Sequence, residues 1–326
     1  MRTSAVVLLV LVVFLAALAG TQLAPPDLGS VDWKEIGAPA GVTPEEVASL
    51  REELLGLREA IPANTPQALA SLEPPARVDL CGQPLPLDRP EVRERLAYEL
   101  LLTVGKPLMP MLWTRRAPAV LPEIEARLRE AGLPDDLKYV AVAESDLRIT
   151  VRSPAGAVGP WQLMKATARR YGLRVDRYVD ERMDIERATD AAAAYFADLY
   201  EEFGDWFLAL AAYNAGENAV RSAIEEQGRR DYFELYLPEE TRRYVHRVVA
   251  AKLVFEQPER YGLARMTPLH VPRYRIVEVQ VRPARADLRK LAAEHGLEYG
   301  ALRRANPKLL GPWLPRGTHR LRVPVG

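Results

Sequence analysis

From Pro90 to about Tyr261 apolar residues recur at helical spacing, in segments that stop at proline or glycine, and no run of alternating β-branched residues interrupts them. That pattern commits this stretch to an all-α domain. It predicts helices over Glu91–Thr103, Ala119–Ala131, Asp135–Ala143, Lys165–Tyr171, Ala188–Phe203, Trp206–Asn214, a stretch near Ala219–Gln227, and Thr241–Glu256. Cysteine and histidine add no further constraint. A lone Cys81 excludes an intramolecular disulfide framework and a multi-Cys zinc site. His246, His270, His295 and His319 lack the close spacing of a helical metal pair. No metal and no cofactor is therefore expected.

The flanks differ in character. Ala5–Gly20 is an apolar run of 16 residues without charge. It falls between a secretory h-region of about 7–15 residues and a spanning helix of about 20. Ala17-Leu18-Ala19 offers a small-x-small cleavage site, so residues 1–20 read as a signal peptide or an N-terminal anchor, and the protein as exported. Residues 21–90 hold 11 of the 27 prolines and read as a tether, with one helix plausible at Pro44–Glu59. The all-α domain is assigned to residues 91–266. After Thr267–Pro272, a strand at Arg275–Arg282, helical patterns at Asp287–His295 and Tyr299–Ala305 and a strand at His319–Val325 make residues 272–326 a βααβ unit.

Charge narrows the range of partners. The 44 basic residues are matched by 44 acidic ones, which disfavours a globally basic nucleic-acid binder. Residues 272–326 carry 12 Lys/Arg against 4 Asp/Glu, so the remainder of the chain is net negative. Such a unit is either a solvated basic face or a surface that meets an anionic polymer. It lacks the interleaved aromatics of a nucleic-acid platform.

The chemistry-bearing residues cluster in four segments. In Leu133–Ser145, Asp135 is a natural N-cap, and the helix behind it is apolar nearly all round. Leu137, Val140, Ala141 and Glu144 fall on one face, so Glu144 projects from a surface that is otherwise buried. There it either pairs with an arginine or sits in a partly apolar cleft, its pKa raised by desolvation, as a general acid requires. Ser153–Met164 is too rich in Gly, Pro and Ala for regular structure and too apolar for a solvent loop, so it should line something. Gln162 would offer an amide to sugar hydroxyls or acetamido groups, and Trp161 and Met164 apolar surface; tight structural packing is the other reading. Tyr213-Asn214-Ala215-Gly216 closes an apolar helix with glycine at its C-terminal end, and its two polar tips point into the interior or into a cleft. Glu240 stands near the start of the last helix, four residues before Tyr244, while Asp184 and Thr189 read as caps.

Taken together and in order, Glu144-Ser145, Ser153-Pro154-Ala155-Gly156-Ala157 with Gly159–Met164, Ala212–Gly216 and Glu240–Val245 resemble the lytic transglycosylase family. Leu80–Leu87 and Ala131–Tyr139 are similar to its membrane-bound lytic murein transglycosylase D branch. Ala292–Leu297, Asn306-Pro307 and Leu321–Pro324 resemble a degenerate LysM module. The resemblance implies a mainly α fold: a lysozyme-like all-α catalytic domain with a small βααβ LysM-like module behind it. It implies cleavage of the β-1,4 bond between N-acetylmuramic acid and N-acetylglucosamine in peptidoglycan. Glu144 would serve as single acid/base, and closure of a 1,6-anhydro ring would replace attack by water. It further implies that Ser153, Gln162 and Met164 line sugar subsites, that Tyr213 hydrogen-bonds Glu144, and that Asn214 supports that segment. Glu240 and Tyr244 would contact the glycan or brace the acid. The chain departs from the family pattern at Pro160, at Lys165, and at Arg285–Leu288, where Gly-Asp-Thr is usual. The branch's lipid-anchor cysteine is absent as well, so membrane attachment would run through residues 5–20. The rival readings are a muramidase or chitinase that uses water on the same scaffold, and a non-catalytic wall-binding protein. Periplasm or cell envelope is the expected location, and peptidoglycan strands the expected partner.

Overall fold

In a computed structural model, residues 73–106, 108–263, 267–269, 271 and 273–325 are described. The apolar segment at 5–20, the helix expected at Pro44–Glu59 and most of the tether lie outside them. From Val78 the chain is folded: a hairpin of β1 (Asp79–Leu80) and β2 (Gln83–Pro84) sends Leu80, Leu85 and Leu87 into the main core. Cys81 forms the turn at φ 54°, its amide donating to the Asp136 carboxylate at 2.8 Å. Burial pushes its thiol far above the usual range.

Helix α1 (Pro90–Val104) starts on proline, whose fixed φ suits a first turn, and buries Val92, Leu96 and Leu100 at successive turns. Helix α2 runs Leu108–Glu130 and contains Pro118 and Pro122. The sequence reading began this helix only at Ala119, because a proline ordinarily breaks the hydrogen-bond ladder. Burial of Trp113 and Ala117 on the same face as Val120, Ile124 and Leu128 overrides that preference. Next come a 3-10 turn (Asp135–Leu137) and the short α3 (Lys138–Ser145). Asp135 does not cap: it lies inside the 3-10 turn, and its carboxylate accepts from Lys138 at 2.6 Å.

After α4 (Lys165–Arg170) and a 3-10 turn (Glu181–Met183) come α5 (Ile185–Phe203), α6 (Trp206–Ala215), α7 (Glu217–Gln227) and α8 (Glu239–Glu256). Asp184 caps α5, accepting from the Arg187 amide at 3.4 Å, and Asp205 caps α6 through the Leu208 amide at 2.9 Å. Thr189 is not a cap. It is buried inside α5, where its hydroxyl accepts from the Trp161 indole at 2.9 Å. Helix α8 packs on α1, α3 and α6 together, with Val245, Val248 and Val249 fully buried. At its start Arg243 donates to the buried Glu99 of α1 at 2.5 Å.

The C-terminal βααβ order is observed: β3 (Tyr274–Asp287), α9 (Leu288–Glu294), α10 (Tyr299–Ala305) and β4 (Trp313–Pro324). The strands pair antiparallel from Tyr274↔Pro324 to Asp287↔Trp313, with an irregularity between Val281 and Arg285. Both are longer than expected. Pro283 interrupts the alternation of one, and Pro315 and Gly317 that of the other. The described residues of the helical body and of this C-terminal part fall within one compact unit. Val179, from the helical body, is buried in the small core of Leu288, Leu302, Leu314 and Leu321.

Candidate active site

Glu144 lies one residue before the end of α3, and the chain behind it turns sharply because Asp146 and Leu147 both adopt left-handed backbone, at φ 53° and 59°. The Asp146 carboxylate is drawn aside, accepting from the Trp113 indole at 2.9 Å, with Arg148 at 3.6 Å. Glu144 therefore stands without a second carboxylate bonded to it among the described residues. The Tyr244 hydroxyl, from the second turn of α8, donates to Glu144 Oε1 at 2.6 Å. Burial pushes the Glu144 carboxyl above its ordinary range; the Tyr244 bond and the Arg247 charge pull it partly back, and Glu240 pushes it up. The phenols of Tyr213 and Tyr244 are themselves raised well above the usual value, first by burial and then by the Glu144 charge. Both stay protonated and able to donate.

The tyrosine roles differ from the expectation. Tyr213 does not bond to Glu144. Its ring stacks on Phe196 (centroids 4.4 Å apart), which aims its hydroxyl at the Trp161 carbonyl, 2.6 Å away. Tyr213 thus ties α6 to the 153–164 loop, and it is the Tyr244 hydroxyl that bonds to Glu144. Asn214 accepts from the Thr241 hydroxyl at 2.9 Å and so joins the end of α6 to the start of α8. Glu240 is exposed, with Arg247 at 3.9 Å.

The 153–164 loop is a narrow hairpin held by isolated bridges Arg152↔Val158 and Val158↔Leu163. Ser153 is occupied inside it: its amide donates to Ala157 O at 2.9 Å and its Oγ accepts from the Ala157 amide at 3.1 Å. The Gln162 amide nitrogen also serves the loop, donating to Gly159 O at 2.8 Å from a residue at φ 47°. Trp161 is fully buried, whereas Met164 is 46% exposed and presents apolar surface to solvent. The glycine-rich composition predicts irregular backbone but not the direction of each side chain.

Sequence reasoning passed over Arg247, one turn beyond Tyr244. Its guanidinium lies 5.2 Å from the Tyr244 ring, and its charge favours ionised Glu144. The signal was its i, i+3 spacing from Tyr244. It also passed over Asp180 and Arg182, which are buried together behind the loop. Among the described residues, no group of three or more His, Cys, Asp or Glu is placed to hold a metal ion. Replacing Tyr244 by Phe removes a bond that favours the carboxylate, so the Glu144 pKa rises further. Activity that depends on protonated Glu144 should then persist to higher pH. The rate should fall by about 10–100-fold because the acid is no longer aimed. A pH–rate profile of Tyr244→Phe checks both.

Residues 122–236 match the family model described as "Transglycosylase SLT domain". Membrane-bound lytic murein transglycosylase D of Escherichia coli K12 is 35% identical over 155 residues, 46% of this chain and 34% of that protein. Peptidoglycan transglycosylase gp16 of Escherichia phage T7 is 37% identical over 133 residues, 39% of this chain and 10% of that protein. The chain thus spans about a third or less of the length of these two relatives. Among solved structures, the 70 kDa soluble lytic transglycosylase Slt70 of Escherichia coli aligns with a TM-score of 0.38 at 22% identity, over 52% of this chain and 32% of that one. The stretch that holds Glu144, the 153–164 loop and Tyr213 is the stretch that matches the transglycosylase SLT domain model, and over 155 residues the chain is similar to membrane-bound lytic murein transglycosylase D.

Proposed function

We propose that the chain is a peptidoglycan lytic transglycosylase that cleaves the β-1,4 bond between N-acetylmuramic acid and N-acetylglucosamine, with Glu144 as its single general acid/base. The observation that carries this reading is the buried Glu144 carboxyl, raised by desolvation and held through Oε1 by Tyr244. Oε2 is left to carry the proton. Glu144 gives that proton to the glycosidic oxygen as the C1–O bond breaks and positive charge develops on the sugar. The substrate's own acetamido group stabilises that charge, which suits a site where Asp146 is held by Trp113 and Glu240 is exposed. Glu144, now ionised, takes the proton of the C6 hydroxyl while O6 closes on C1. Its protonated form is restored and no water is consumed. Met164 supplies exposed apolar surface for the sugar face, and Ser153 and Gln162 act by shaping the loop.

The same reading places the protein in the cell envelope, acting on glycan strands. Attachment would run through residues 5–20. Among the described residues no helix is long and apolar enough to cross a membrane. Mass spectrometry of the fragments released from purified peptidoglycan tests the chemistry, with Glu144→Gln as control. Anhydro products, lighter by one water than hydrolysed sugars and absent from the control, are expected. Products of full hydrolysed mass would make the protein a muramidase on the same scaffold. No cleavage by folded protein would leave a wall-binding role.

A further inference from the structure

The βααβ module and the 153–164 loop meet the same short segment from opposite sides. Arg182, 3% exposed, spends its guanidinium in two directions. Its Nε and Nη2 donate to Asp180 Oδ1 and Oδ2 at 2.9 and 2.8 Å, and its Nη1 donates to the Gly156 and Leu163 carbonyls of the loop at 2.9 and 3.0 Å. The loop also rests on the backbone of Arg182: a Cβ on Gly159 would stand 1.8 Å from the Arg182 carbonyl oxygen. On the other side the Asp180 amide donates to Lys308 O at 2.8 Å, Val179 bridges Leu309, and the Leu310 amide donates to Tyr178 O at 2.8 Å. Lys308 is itself buried, with Nζ on Asp184 at 2.5 Å and on Arg320 O at 2.8 Å.

A buried ion pair is a poor source of net stability, since apolar residues of equal volume often do as well. What the Asp180–Arg182 pair supplies is direction: a planar fork that fixes two loop carbonyls relative to the module. We propose that the C-terminal module is the anchored end of a strut whose other end is the glycan-facing loop, with Arg182 as a positioning residue for substrate binding and Lys308 as the anchor. The module then contributes to turnover without touching the substrate. The kinetic side of this proposal rests on the transglycosylase reading; the structural side does not.

The test uses the full chain carrying Arg182→Lys, Lys308→Met, or both. Arg182→Lys keeps the charge opposite Asp180 while removing the fork, so it is the variant that preserves folding best. Amide hydrogen exchange should rise at least about tenfold across residues 153–164 in each variant, with residues 90–104 unchanged as internal reference. Unchanged loop exchange, or an even rise in both segments, would overturn the strut. In kinetics each variant should raise KM about tenfold without moving the pH dependence of kcat, because neither residue touches Glu144. The double variant should be little worse than the worse single one, as expected for one path. A lowered Tm with KM and kcat intact would reduce Arg182 to a structural residue and defeat the proposal. If wild-type protein releases no glycan fragments while loop exchange still responds to Lys308→Met, the enzymatic reading fails and the strut stands. Cleavage with an indifferent loop gives the reverse.

Discussion

Glu144→Gln should leave a folded protein that releases glycan fragments about a thousandfold more slowly than wild type, or not measurably, the scale of losing a positioned general acid. Gln is nearly isosteric and can still accept from the Tyr244 hydroxyl, so the α3–α8 contact survives. Stability should move the other way. Because burial raises the Glu144 pKa in the folded state above its unfolded value, the folded protein binds that proton more tightly than the unfolded chain does. The wild type therefore loses stability as pH rises from the unfolded to the folded pKa, and remains penalised above it. The Gln variant carries no such penalty. Its Tm should match wild type at acid pH and exceed it at neutral pH and above. A variant that lost Tm at neutral pH, or kept its rate, would remove Glu144 from the role of buried acid.

Gly159→Ala should be the most damaging substitution in the loop. Gly159 sits at φ 86°, where L residues are strained, and the added methyl would stand 1.8 Å from the Arg182 carbonyl oxygen and 2.8 Å from its carbon. Neither obstacle can swing away, since both are backbone and the Arg182 side chain is pinned between Asp180 and the loop. A loss of about 3 kcal/mol or more follows, in the range reserved for clashes at special backbone positions. Denaturant unfolding measures it directly. Gly156→Ala is the contrast: its φ of 90° brings strain but no contact within 4 Å, so its loss should be clearly smaller.

Much of this was legible because helices announce themselves. The periodicity of Glu91–Thr103 and Thr241–Glu256 located α1 and α8 to within two residues, and Gly216 marked the end of α6. Glu144 stood out because a carboxylate on an apolar face has few uses. What the pattern could not show was pairing across the chain. Tyr213 and Tyr244 are equivalent as residue types, and the stack of Tyr213 on Phe196 turns its hydroxyl to the Trp161 carbonyl while that of Tyr244 reaches Glu144. The family resemblance puts Ser153 and Gln162 at sugar subsites, and the Gln162 amide alone suggests the same. The loop consumes both in its own turn. Nothing in the sequence marks Asp180 and Arg182, since it carries no sign that their segment is roofed by a module more than 120 residues later, at Lys308.

Arg243 and Tyr244 are neighbours on α8, about 100° apart around its axis, and each answers a carboxylate on a different helix: Glu99 of α1 and Glu144 of α3. Two pins at that angle leave the helix no freedom to roll. The molecule should therefore tolerate changes in chain length very unevenly. The segment before Glu239 can absorb an added residue by rearranging exposed positions such as Tyr236, which is 78% exposed. One residue inserted between Tyr244 and Val245 would set both pins about 100° out of register with the buried face that follows, parting Glu99 and Glu144 from α8 in a single step.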